Sequence, residues 1–162
     1  MEADESIFKK QLTFMKKYFL IGGLVTFVVV FNLGYVFHEI IMGNFFKEHI
    51  GAIQRETYII PLIALSFVLY IAFQAYFLPV YFDYTSRKYN WGLTKTAIIF
   101  GAMAGFFWDG LQGGLIEVAT FKMPMIVFWY DSSYHTLEGV VTALLLAFFY
   151  KKFGLKSRES SR

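Results

Sequence analysis

Asp131, His135 and Glu138 follow one another at i, i+4 and i+7 inside an apolar run. That spacing sets all three on one face of a helix. A carboxylate, an imidazole and a second carboxylate in line can hold a proton, exchange it as acid and base, or ligate a divalent metal. They equally suit an internal hydrogen-bond network that fixes helix register. His38, Asp109 and Glu117 are further ionisable residues within apolar runs. Hydrocarbon penalises each ionised side chain at a helix centre by roughly 2.5–3.5 kcal/mol, so four bare carboxylates would cost on the order of 10 kcal/mol. Such groups must face one another, face water or stay protonated.

Spacing narrows the chemistry. Di-iron carboxylate bundles use Glu-x-x-His pairs on two helices; here the order is reversed, once, at His135 and Glu138. A mononuclear site drawn from His135, Asp131 and Glu138, joined by Asp109 or His38, remains open. A b-type haem needs two axial histidines at one depth. Counted from the span ends, His38 and His135 differ by roughly 9 Å, which disfavours haem. No serine sits in a nucleophile elbow, and the chain has no cysteine, which removes thiolate metal sites, disulfides and thiol nucleophiles. The GxxGG at Gly110–Gly114 lies inside an apolar run with no strand before it, which excludes a phosphate loop.

The elements that position these residues are membrane spans. The chain of 162 residues is 57% hydrophobic and 21% aromatic, with only 17% charged residues, against about 25% in soluble domains. The length fits a single membrane domain, residues 1–162. Apolar runs at about Tyr18–Met42, Tyr58–Phe82, Thr96–Ala119 and Met125–Tyr150 each exceed the roughly 30 Å hydrocarbon core at 1.5 Å rise per residue. The expected fold is all-α, an antiparallel four-helix transmembrane bundle. The first twenty residues show no cleavable-leader pattern, so the first span is expected to be retained. Residues 1–17 form a basic arm, within which Ile7–Lys17 suits a short interfacial helix or a flexible segment. The polar tail from Gly154 to Arg162 is expected to be disordered.

Lysine and arginine set the direction. Lys9, Lys10, Lys16 and Lys17 precede span one; Arg87, Lys88 and Lys95 follow span two; Lys151, Lys152, Lys156, Arg158 and Arg162 follow span four. Only Lys47, Arg55 and Lys122 lie on the other side. Both termini are therefore expected in the cytoplasm, and the loops Gly43–Thr57 and Thr120–Pro124 outside, in a multi-pass protein of the inner membrane. The net charge of +3 clusters at span ends, which fits topology and not nucleic-acid binding.

With that orientation, all the ionisable candidates fall in the outer half. Span one carries Asn32, Tyr35 and Glu39 as a stripe with His38 beside it. Span three carries Asp109, Gln112 and Glu117, and its Gly101, Gly105, Asp109 and Gly113 recur every four residues. Small residues at that interval let helices approach closely in lipid. Glu39 and Glu117 lie near the interface, where solvation alone accounts for them. Span two offers Ser66, Tyr70 and Gln74 without charge, and is expected to be a structural wall.

Two stretches, FNLGYVFHEIIMGNFFKEH at Phe31–His49 and Gly101–Tyr150, resemble bacterial four-span inner-membrane proteins classed only as a domain of unknown function. That class tends to close span one with N-x5-H-G-x-L-x-G, matched here by Asn32 and His38, with Glu39 where glycine is usual. It also tends to show ATF-x-x-P, an aspartate and W/Y-H-x-x-E-G, matched by Ala119, Thr120, Phe121, Pro124, Asp131, Tyr134, His135, Glu138 and Gly139. The resemblance implies a four-helix membrane fold and brings no activity. The residues themselves favour a non-enzymatic membrane protein binding a small ligand, proton or divalent metal in an outward-facing polar cavity. A structural or accessory subunit of a larger membrane complex, and an acid–base enzyme acting on a lipid-like substrate, stand as alternatives; besides the lipid bilayer, the expected partner is a second copy of the chain or a membrane complex.

Overall fold

The computed structural model describes residues 13–51, 59–107, 116, 118 and 123–159, with side chains to residue 153. It is all-helical, with no strand among the described residues. The elements are α1 (Thr13–Ile41), α2 (Gly43–Ile50), α3 (Ile60–Tyr89), α4 (Leu93–Phe107) and α5 (Met125–Glu159). α1 and α3, of 29 and 30 residues, are long and apolar enough to cross a membrane. Only 22% of either apolar stretch is buried, whereas the core helix of a soluble protein would bury most of it. Leu20, Leu24, Val28, Leu62, Leu65 and Leu69 all face outward.

α1 is uniformly apolar, so hydrophobic patterning does not choose its inner face. Small residues do. Tyr18, Gly22, Thr26, Val30 and Gly34, every fourth residue, are its buried positions. α1 is wound as π-helix over Tyr18–Gly22 and Val36–Ile41. The stripe from Gly22 to Gly34 runs through the regular α-helical middle, Gly23–Tyr35, between these two wider segments. Gly22 sits against Phe149, where a methyl group would lie 3.0 Å from the Phe149 Cβ. Gly34 sits against Phe67 and the Tyr134 hydroxyl, at 3.2 and 3.4 Å by the same measure.

α3 starts with Pro61 in its first turn and ends where Asn90 takes a left-handed conformation, φ 53°, which asparagine tolerates. The Thr85 hydroxyl donates to the Tyr81 carbonyl, 2.9 Å, and lies 2.9 Å from the Thr96 hydroxyl in a buried link between α3 and α4. α4 meets α5 backbone to backbone: a side chain at Gly101 would collide with the Gly139 carbonyl, and one at Gly105 with the His135 carbonyl. The apolar core gathers Tyr18, Ile71, Leu78, Ala97, Leu146 and Phe149. A smaller cluster, Phe46, Met123 and Val127, lies beneath α2.

Several boundaries differ from the sequence expectation. Residues 13–17 of the basic arm are the first turn of α1 and not part of a separate helix; residues 1–12 lie outside the described part. The outer loop expected from Gly43 opens with α2, because Phe45, Phe46 and Ile50 share a face that packs under the chain. α3 continues past Phe82 to Tyr89. α5 runs on to Glu159, so the tail expected to be disordered from Gly154 is helical that far. No proline interrupts it, and Phe149 and Phe153 stack one turn apart at 5.8 Å.

Candidate functional site

The last turn of α1 and the first half of α5 meet through their polar side chains. His38 Nδ1 lies 3.0 Å from the Gly34 carbonyl oxygen one turn back. A carbonyl only accepts, so Nδ1 carries the proton. His38 Nε2 lies 3.0 Å from Asp131 Oδ1. The other oxygen, Oδ2, lies 3.5 Å from His135 Nε2. His135 Nδ1 is 2.8 Å from Glu138 Oε2, and the Tyr134 hydroxyl donates to Glu138 Oε1 across 3.0 Å. The groups form one unbroken line, Gly34–His38–Asp131–His135–Glu138–Tyr134. It is wettest at His38, whose side chain is 36% exposed, and driest at Glu138, which is 2% exposed.

The line holds two carboxylates and two imidazoles, and its charge must nearly balance at such burial. His38 Nδ1 donates to a carbonyl, and both Nε2 atoms point toward Asp131. The line can balance its charge by protons on the Nε2 atoms, by a proton on either carboxyl group, or by a cation among them. Any of these outcomes is positive charge delivered to the same few cubic ångströms.

Aromatic side chains wall the line. Phe37 stacks on Tyr134 with ring centroids 4.2 Å apart. Phe46, from α2, stacks on His38 at 5.3 Å. α4 holds the α5 backbone from behind, Gly105 against His135 and Gly101 against Gly139.

Of the residues singled out in the sequence, His38, Asp131, His135 and Glu138 come together. Asn32 and Glu39 do not: both are exposed, and Asn32 Nδ2 donates to the Val28 carbonyl of its own helix, 2.7 Å. The inward stripe of α1 runs through Gly34 to His38, which turns Asn32, Tyr35 and Glu39 away. Asp109, Gln112 and Glu117 lie outside the described residues. The depth offset expected between the two histidines is not observed, since their ring centroids are 6.2 Å apart. Side chains lean toward the N-terminus of their own helix. His38 therefore leans back along α1 while His135 leans back along α5 to Asp131, and the two converge. That offset no longer weighs against a ligand shared by both rings.

Three contributors were missed. Tyr134 lies at i, i+4 from Glu138, a readable signal. Gly34 continues the small-residue interval of Gly22 and Thr26, also readable. Phe46 depends on α2 folding over the site, which no local pattern encodes. In the expected wall, Tyr70 and Gln74 are buried, and a methyl group at Gly139 would lie 2.8 Å from the Tyr70 hydroxyl.

No family model matches this chain, and no curated protein or solved structure matches it.

Proposed function

We propose that this chain is a multi-pass inner-membrane protein, an antiparallel four-helix transmembrane bundle with cytoplasmic termini. It binds a small cation, a proton or a metal ion, at a polar site near its outer end. The pairing of helices supports the bundle. Gly22 meets Phe149 and Gly34 meets Tyr134, so α1 and α5 oppose one another; Tyr81 meets Phe100 and Thr85 meets Thr96, so α3 and α4 do as well. The outward-facing leucines of α1 and α3 support immersion in lipid, and the excess of lysine and arginine at one end supports the orientation.

The observation that carries the binding reading is the unbroken line from His38 to Glu138 through Asp131 and His135. Intramembrane ionisable residues held in such a line are expensive to keep and mark ion or proton sites by default. The test is thermal unfolding of the purified protein in detergent, between about pH 5 and 8 and across a panel of inorganic cations, beside His135→Ala. A stability change in wild type that the variant loses supports the reading. A wild-type protein indifferent to every condition overturns it.

A further inference from the structure

We propose that the cation is a first-row divalent transition metal, bound by His38 Nε2, His135 Nε2 and the Asp131 carboxylate. The inference rests on the cation-site reading above and gives it a coordination chemistry. One nitrogen from each histidine and one oxygen of Asp131 lie within 4.8 Å of one another. Metal–ligand bonds of about 2.0–2.2 Å place neighbouring ligand atoms roughly 3.0–3.5 Å apart. His38 Nε2 lies 3.0 Å from Asp131 Oδ1 and His135 Nε2 lies 3.5 Å from Oδ2, so the carboxylate faces each ring with a different oxygen; with the set spread over as much as 4.8 Å, the side chains draw in slightly around the ion.

Orientation points the same way. A metal-binding histidine ordinarily donates its other N–H to a carboxylate or a backbone carbonyl, which fixes the tautomer and the ring. Both arrangements occur here, one on each ring. His135 Nδ1 faces the Glu138 carboxylate and His38 Nδ1 faces the Gly34 carbonyl, which turns both Nε2 atoms to Asp131. Tyr134 holds Glu138 from its other oxygen. Glu138, a metal ligand candidate in the sequence, thus becomes the partner that orients a ligand.

Charge fits as well. With neutral imidazoles, Asp131 and Glu138 together carry two negative charges, and one divalent ion balances them. Two histidines and one carboxylate leave coordination positions open for water or a further ligand, and their nitrogens select Zn2+, Fe2+ or Co2+ over Mg2+ and Ca2+. His38, the most exposed member, marks the side from which the ion arrives.

The experiment is titration of chelator-treated full-length protein in detergent with Zn2+ by calorimetry and with Co2+ by visible absorption. One ion per chain, with cobalt ligand-field bands displaced by Zn2+, is the expected result. His38→Ala abolishes the bands. Glu138→Gln keeps the shape of the site and weakens Zn2+ binding about 10–100-fold. His49→Ala, an exposed histidine whose ring bonds back to the Phe45 carbonyl of its own helix, leaves stoichiometry and affinity unchanged. Helicity by circular dichroism, unchanged in each variant, separates lost ligands from lost fold. Absence of binding in wild type, or binding that His49→Ala removes and His38→Ala does not, overturns the metal assignment. If Zn2+ and Co2+ fail to bind while wild type still shows a thermal response that His135→Ala lacks, the metal is wrong and the cation site stands. If that response is missing too, both fall.

Discussion

His38 and Asp131 are 93 positions apart in the chain and 3.0 Å apart in space. Their bond ties the end of α1 to the start of α5. Interhelical hydrogen bonds in membranes contribute about 0.6 kcal/mol on average and up to about 1.7; a charged partner places this one at the upper end. A double-mutant cycle of His38→Ala, Asp131→Asn and the pair is therefore expected to give a coupling energy of about 1–2 kcal/mol. Additive effects, read from thermal or denaturant unfolding in detergent, would show that the two side chains do not hold each other.

The α4–α5 contact makes a second prediction. No side chain fits at Gly105, since its Cβ would strike the His135 carbonyl oxygen, a backbone atom that cannot swing away. Gly105→Ala must push the helices apart, at about 1–3 kcal/mol or more, and carry His135 with them. Gly23, on the outer side of α1, has nothing within 4 Å of an added methyl group. Gly23→Ala is expected to be neutral or to stabilise by about 0.5–1 kcal/mol through helix propensity. Equal effects at the two glycines would contradict the close α4–α5 approach.

These contrasts mark what the sequence made legible. The apolar runs announced helices because twenty-odd unbroken apolar residues have few other uses. Asp131, His135 and Glu138 were legible because helical spacing alone puts them on one face. Asn32 and Glu39 misled because α1 is apolar all round, so the only guide to its inner face was the small-residue interval Gly22, Thr26, Gly34. A 3.6-residue wheel also misplaces residues once the winding widens over Val36–Ile41. The partnership of His38 with Asp131 was beyond local pattern, since it depends on two helices leaning their side chains toward each other.

Glu138 is 2% exposed and receives the Tyr134 hydroxyl at 3.0 Å. Tyr134→Phe keeps the stacking on Phe37 and removes the hydroxyl that donates to Glu138. The buried carboxylate then loses one of the two side-chain partners it has among the described residues. The expected loss is about 1–3 kcal/mol, the range for stranding a buried polar group, seen as a lower unfolding midpoint. A Tyr134→Phe protein as stable as wild type would mean that water or another donor replaces the phenol.

Topology is open to direct chemistry because the chain contains no cysteine. Lys47 on α2, and Lys88 and Lys152 near the ends of α3 and α5, are all exposed, so each accepts a cysteine without disturbing the core. With α2 on the outer side, Lys47→Cys in intact cells stripped of their outer barrier reacts with a membrane-impermeant maleimide. Lys88→Cys and Lys152→Cys react only after the inner membrane is opened. The reverse pattern would invert the protein and put the His38 end of the site toward the cytoplasm. Equal labelling of all three in sealed cells would remove the membrane-spanning arrangement altogether, and with it the reason for reading a buried carboxylate pair as an intramembrane cation site.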